Sequence, residues 1–171
     1  LGVPQILLAV DRGLKKARIE HEQSDAVKVH GEPPFRYGII ASAMRFFTEG
    51  FAPYFSNLIS ALEGWPMKKV HGAASLSLAR SVVQARDRLD IPVVGFDLAG
   101  AEAGHPASDH IEAYRYAHQS FLKKTVHAGE AYGPESIFQA ITTLYADRIG
   151  HGTHLYSAEQ CDVENPERYV E

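Results

Sequence analysis

The sequence predicts an α/β fold built on a parallel sheet, and three observations predict it. Short apolar runs at 37–44, 92–98, 125–128 and 148–151 alternate with segments whose apolar residues recur at helical spacing. The clearest run, Pro92-Val93-Val94-Gly95-Phe96-Asp97-Leu98, is β-branched and hydrophobic on both faces, which suits a parallel sheet covered on each side. The helical segments carry start signals, Pro4 in one and Gly133-Pro134 in another. Alternation of this kind gives βα units and a parallel sheet. A doubly wound open sheet and a closed barrel both fit. Four strands are too few for a barrel, whose usual length is about 250 residues.

The elements follow in order. Pro4 to about Arg18 places Ile6, Leu7, Val10, Leu14 and Ala17 on one helical stripe. Residues 20–34 are polar, with a glycine and a proline pair, and read as a loop. Tyr37–Met44 reads as a buried strand. Phe46–Leu62 reads as a loop with a short helix, its Phe46, Phe47, Phe51, Tyr54 and Phe55 as core or pocket wall. Ser75–Leu89 is helical, with Leu78, Val82, Ala85 and Leu89 on one side. Pro92–Leu98 is a strand, and Asp109–Phe121 a helix capped by Ser108. Thr125–Ala128 is a short strand. Pro134–Tyr145 is a helix with Ile137, Phe138, Ile141 and Leu144 inward, Arg148–His151 a last strand, and Pro166 opens one more helix.

Composition bounds the function. The 171 residues make one domain over 1–171, or part of a larger one; 45% are hydrophobic and 22% charged, as in a soluble chain with a core. A net charge of −4 leaves no electrostatic footprint for nucleic acid or an anionic membrane. No apolar run approaches the roughly 18 residues of a membrane span. The single cysteine, Cys161, makes neither an internal disulfide nor a Cys-rich zinc site, which predicts a reducing, cytoplasmic setting. The chain opens on Leu1-Gly2-Val3-Pro4 without an initiator Met or a signal peptide's basic region, and is expected to be a piece of something longer.

Chemistry concentrates in 125–152, TVHAGEAYGPESIFQAITTLYADRIGHG. In parallel α/β folds function sits at the C-terminal ends of strands. His127 ends one strand; a neutral imidazole there is a good metal ligand with its second nitrogen free for a partner, and a satisfied buried histidine is the competing reading. Glu130 follows Ala128-Gly129, where small residues let the chain turn sharply, and suits a general acid or base as well as a plain loop carboxylate. His151, between Gly150 and Gly152, ends the next strand; adjacent parallel strands bring it close to His127, as a second ligand or as a base acting on water. Gly100 follows a strand directly, where its backbone can approach a ligand. Glu102 either touches a substrate or is a solvated carboxylate. His21, His30, His71, His105, His110, His118 and His154 read as surface or packing residues, His154 being nearest the site.

These residues are recognisable together. Val94-Gly95-Phe96-Asp97-Leu98-Ala99-Gly100, then Thr125-Val126-His127-Ala128-Gly129-Glu130, then Arg148-Ile149-Gly150-His151-Gly152 resemble the adenosine deaminase family of zinc hydrolases in order and separation, and Gly133-Pro134-Glu135-Ser136-Ile137 resembles its bacterial members. The resemblance implies a (β/α)8 TIM barrel with catalysis at the C-terminal face, one zinc ion and hydrolytic deamination of a 6-aminopurine nucleoside. His127 resembles the zinc-ligating histidine. Glu130 resembles the acid that protonates N1 of the purine, and His151 the histidine that orients or deprotonates the attacking water. Gly100 resembles the glycine whose backbone contacts the purine.

Two departures bound the expectation. The family's His-x-His pair, which supplies two further ligands, and its Asp-Asp pair, one a ligand and one a partner of the water, do not occur here. The chain is therefore expected to be an incomplete barrel, about strands 3 to 6, and to be inactive alone. Ala101 stands where an acidic residue often follows the LAG segment. Adenosine is the expected substrate; adenine, AMP or another amine, and a non-catalytic nucleoside-binding or growth-factor-like relative, are the alternatives.

Overall fold

A computed structural model describes residues 2–155; Cys161 and the helix expected at Pro166 lie outside the described residues. The chain runs α1 (Val3–Gln23), α2 (Asp25–Lys28), β1 (Ile39–Met44), α3 (Pro53–Ala61), α4 (Met67–Leu89), β2 (Val93–Ala99), a 3-10 turn (Ala107–His110), α5 (Ile111–Gln119), β3 (Lys123–Ala128), α6 (Pro134–Thr142) and β4 (Arg148–His151). The four strands form one parallel sheet in the order β1-β2-β3-β4. Space order equals chain order. A doubly wound sheet reverses direction at a switch point, and none occurs among the described residues. Right-handed crossovers stepping one way put the intervening helices on one face. This is an α/β fold, an arc of a β/α barrel.

The core lies between that face and the helices. Phe96 and Leu98 of β2 and Val126 and Ala128 of β3 are buried against Val82 and Ala85 of α4, Tyr114 and Ala117 of α5, and Ala140 of α6. Tyr114 meets Phe96 edge-on at 5.3 Å and donates its hydroxyl to the Thr125 carbonyl. Lys124, buried on this side, pairs with Asp147 at 2.7 Å at the start of the strands. A second cluster joins Phe47, Val70 and Ala74 with Phe55.

Several sequence expectations need correction. The second face of β2 is not covered by helices: it carries Gly95, Asp97 and Ala99, and a register shift beside Ile40 leaves Val94 as a bulged, exposed residue. The polar stretch 20–34 is not all loop, since α1 continues to Gln23 and α2 adds a turn; Ser24 links them by donating its hydroxyl to the His21 carbonyl. The inward residues of α1 are Leu7 and Asp11, not Ile6 and Val10; Asp11 is buried because Tyr37 and Lys15 both bind it. Helix α4 begins eight residues before Ser75, directly after Pro66. Ser108 does not cap a helix; it sits within the 3-10 turn and its amide donates to the Gln139 side chain. In α6, Ile137 is buried, as is Leu144 just beyond it, but Phe138 and Ile141 are exposed, because the core touches one side of that helix only.

Candidate active site

The uncovered face of the sheet carries the polar side chains. Ser42 from β1, Asp97 from β2 and His127 from β3 lie side by side at the C-terminal half of the strands. Asp97 accepts the Ser42 hydroxyl on Oδ2 at 2.8 Å and meets His127 Nδ1 through Oδ1 at 3.1 Å. The Leu98 carbonyl lies 3.1 Å from the same nitrogen. Both neighbours of Nδ1 are acceptors, so Nδ1 carries the proton, and in the neutral ring Nε2 presents a lone pair. That is the donor state a cation needs from an imidazole. Gly150, paired with His127 across β3 and β4, leaves room for the ring: a Cβ there would meet His127 Cδ2 at 2.9 Å.

His151 stands opposite Ala128 at the end of β4. Its ring lies 5.3 Å from that of His127, centroid to centroid, and its Nε2 lies 3.3 Å from Glu130 Oε2. Its backbone is left-handed, with φ of 62°, a conformation costly for a non-glycine residue and here held by its neighbours: the Gly152 amide donates to Ala128 O. Histidine and carboxyl thus stand beside His127 at the C-terminal ends of β3 and β4. The Glu130 side chain is 64% exposed on the open side.

Gly100, the remaining expected site residue, directly follows β2 with φ of 107°, a region that favours glycine whatever lies nearby. It sits over Met44 and Arg45.

The Glu102 carboxylate is not solvated. It is buried and accepts the amides of Gly129, Glu130, Ala131 and Tyr132 and the Ser136 hydroxyl. Burial alone would raise its pKa, but these donors outweigh that and hold it down to about 2. Arg45 escaped sequence reasoning altogether. It is 1% exposed and donates to the carbonyls of His105 and His127, tying the end of β3 to the loop after β2. The only signal was a lone basic residue closing an apolar strand. His154, close to the site as expected, lies with Nδ1 2.9 Å from the Gly129 carbonyl. His71 and His110 are buried packing residues; desolvation pulls the His110 pKa down to about 4.

Among the described residues, no three histidine, cysteine or acidic side chains gather as a metal site. His127 fits as one ligand of a metal, whose other ligands would have to come from outside this group of side chains. No helix of the described residues is long and apolar enough to cross a membrane.

Known proteins are similar to this chain in sequence. The sequence profile described as adenosine deaminase matches residues 58–161. The adenosine deaminase of Mycobacterium leprae is 46% identical over 94 residues, 55% of this chain and 25% of its own length. That of Mycolicibacterium vanbaalenii is 43% identical over 94 residues, with the same shares. The match thus spans about a quarter of the length of these relatives. A solved adenine deaminase from Arthrobacter aurescens aligns at 22% identity and a TM-score of 0.46, covering 66% of this chain and 26% of its own.

Proposed function

Because this chain belongs to the adenosine deaminase family, we propose that the protein containing it hydrolyses the 6-amino group of adenosine, or of a close 6-aminopurine, to give inosine and ammonia. The observation that carries the reading is the group at the strand ends, where the ring of His127, held through Nδ1, lies 5.3 Å from that of His151, whose Nε2 is 3.3 Å from Glu130 Oε2.

Each residue has a task. Zinc, when bound with His127 among its ligands, supplies Lewis-acid activation of water. His151 takes the proton of the attacking water as its oxygen bonds to C6. Glu130 delivers a proton to N1, which draws away the electron pair that the attack pushes into the ring. The departing amine takes the proton back from His151 and leaves as ammonia. The C6 hydroxyl returns its proton to Glu130, leaving the carbonyl of inosine and a regenerated acid. Gly100 lines the purine with backbone alone. General acid–base help of this kind contributes about 10²–10⁴-fold.

The test is direct. Full-length protein loaded with zinc should deaminate adenosine, followed by loss of its ultraviolet absorbance. Glu130→Gln should retain zinc and bind nucleoside yet lose at least about 10²-fold in kcat. Near-normal kcat in that variant would remove Glu130 from the mechanism.

A further inference from the structure

We propose that Glu102 is a positioning residue for deamination: its carboxylate clamps the backbone of residues 129–132 and so aims Glu130 at the purine. The inference rests on the role given to Glu130 above.

Two loops are stitched by one side chain. Glu102 comes from the loop after β2, and its partners belong to the loop after β3 and the start of α6. Oε1 accepts the Gly129 amide at 2.8 Å and the Ser136 hydroxyl. Oε2 accepts the amides of Glu130 at 3.0 Å, Ala131 at 2.8 Å and Tyr132 at 3.1 Å. Four consecutive amides pointing at one anion form a backbone concavity of the kind that holds phosphate or carboxylate in other proteins. Here the protein fills it with its own side chain.

The donor count decides what Glu102 does. A carboxylate offers about four lone-pair directions. Five donors already occupy them, so nothing remains for a substrate. Orienting a chain segment is the task left. The segment needs it: residues 129–132 lie between β3 and α6, outside the hydrogen-bond ladders of either, and Gly129 bends with φ of 76°. Without the anion, four buried or half-buried amides lose their acceptor together. The Glu130 Cα is then free to move, and a shift of about 1 Å at a reacting group can cost about 10²-fold. Because Glu102 stays charged down to a pKa of about 2, the clamp holds at any pH at which the enzyme would act.

The experiment uses full-length, zinc-loaded protein. In Glu102→Gln one oxygen becomes an NH2 that faces amide donors. Its kcat should fall about 10²-fold with KM changed less than about threefold, zinc content intact, and faster hydrogen exchange at amides 129–132. Because both changes act through one carboxyl, Glu102→Gln/Glu130→Gln should be no slower than Glu130→Gln alone. Multiplying losses, a kcat within about threefold of the parent, or lost zinc would each overturn the proposal. Should Glu102→Gln fail to fold, Ser136→Ala decides: it removes one donor, and kcat should drop about threefold to tenfold at constant KM. An unchanged kcat there overturns it equally. If Glu130→Gln itself turns over normally, the earlier reading has failed; if that variant is dead while Glu102→Gln is active, only the clamp has.

Discussion

Asp97 and His127 are joined across β2 and β3 by a 3.1 Å contact between carboxylate Oδ1 and imidazole Nδ1. Ser42 holds the other carboxylate oxygen at 2.8 Å. Three strands therefore fix one ring orientation and one tautomer. Asp97→Asn is expected to lower zinc affinity of the full-length protein about 10- to 100-fold, the usual cost of losing the partner behind a ligating histidine. Competition with a chelating dye measures it. Unchanged affinity would mean that Asp97 serves the fold and not the metal.

His127 and His151 should part company on substitution. His127→Ala removes a ligand and should lose zinc; His151→Ala should keep zinc and lose turnover. Metal analysis of both purified full-length variants decides, and equal zinc contents would show that at least one role is misassigned.

Gly150→Ala tests the room left for the ring. The new methyl would press on His127 at 2.9 Å from Cδ2 and 3.2 Å from Nε2. The ring cannot retreat while Asp97 and Leu98 hold Nδ1. Weaker zinc binding is expected with a thermal midpoint moved by only a few degrees, the scale of roughly 1 kcal/mol. Parent-like zinc affinity would show that the ring has slack.

Glu102 also sets an acid limit. Its carboxyl titrates at 4.5 ordinarily and at about 2 in the folded protein. Above 4.5 both folded and unfolded chains are ionised and the full stabilisation is present. As the pH falls from 4.5 to 2, the unfolded chain takes up a proton that the folded one refuses, and stability on the order of 3 kcal/mol is lost. Circular dichroism of acid titrations should show a shallower decline for Glu102→Gln. Parallel curves would contradict the assignment.

The 171-residue chain alone should not deaminate adenosine. It contains neither a His-x-His nor an Asp-Asp pair, and a zinc site needs about three or four protein ligands. Turnover by the isolated, zinc-loaded chain above that of free zinc would refute this.

What the sequence made legible was local. Apolar runs marked all four strands, and Gly150 and Gly152 flagged the end of β4. Three motifs singled out the histidines and Glu130, which the fold brings together. What escaped reading was carried by partners distant in the chain. Arg45 meets carbonyls 60 and 82 residues away, and Glu102 binds groups 27 to 34 residues away. No periodicity encodes such pairs. The first two turns of α4 escaped for another reason: Lys68, Lys69 and Gly72 break any apolar stripe, yet Gly72 is where the helix nearly touches the Asp109 carbonyl, 2.5 Å from where a Cβ would sit. Phe138 and Ile141 show the converse error, since an apolar residue at the right spacing faces inward only where something covers it.

Because each strand pairs with the one made just before it, this stretch can be assembled in the order of its synthesis. A newly emerged βα unit finds its docking edge already in place and need not await distant chain. Short separations between partners keep loop-closure costs small. The same economy would let an ancestral gene lengthen by whole units, since adding one at the growing edge disturbs no pairing already formed.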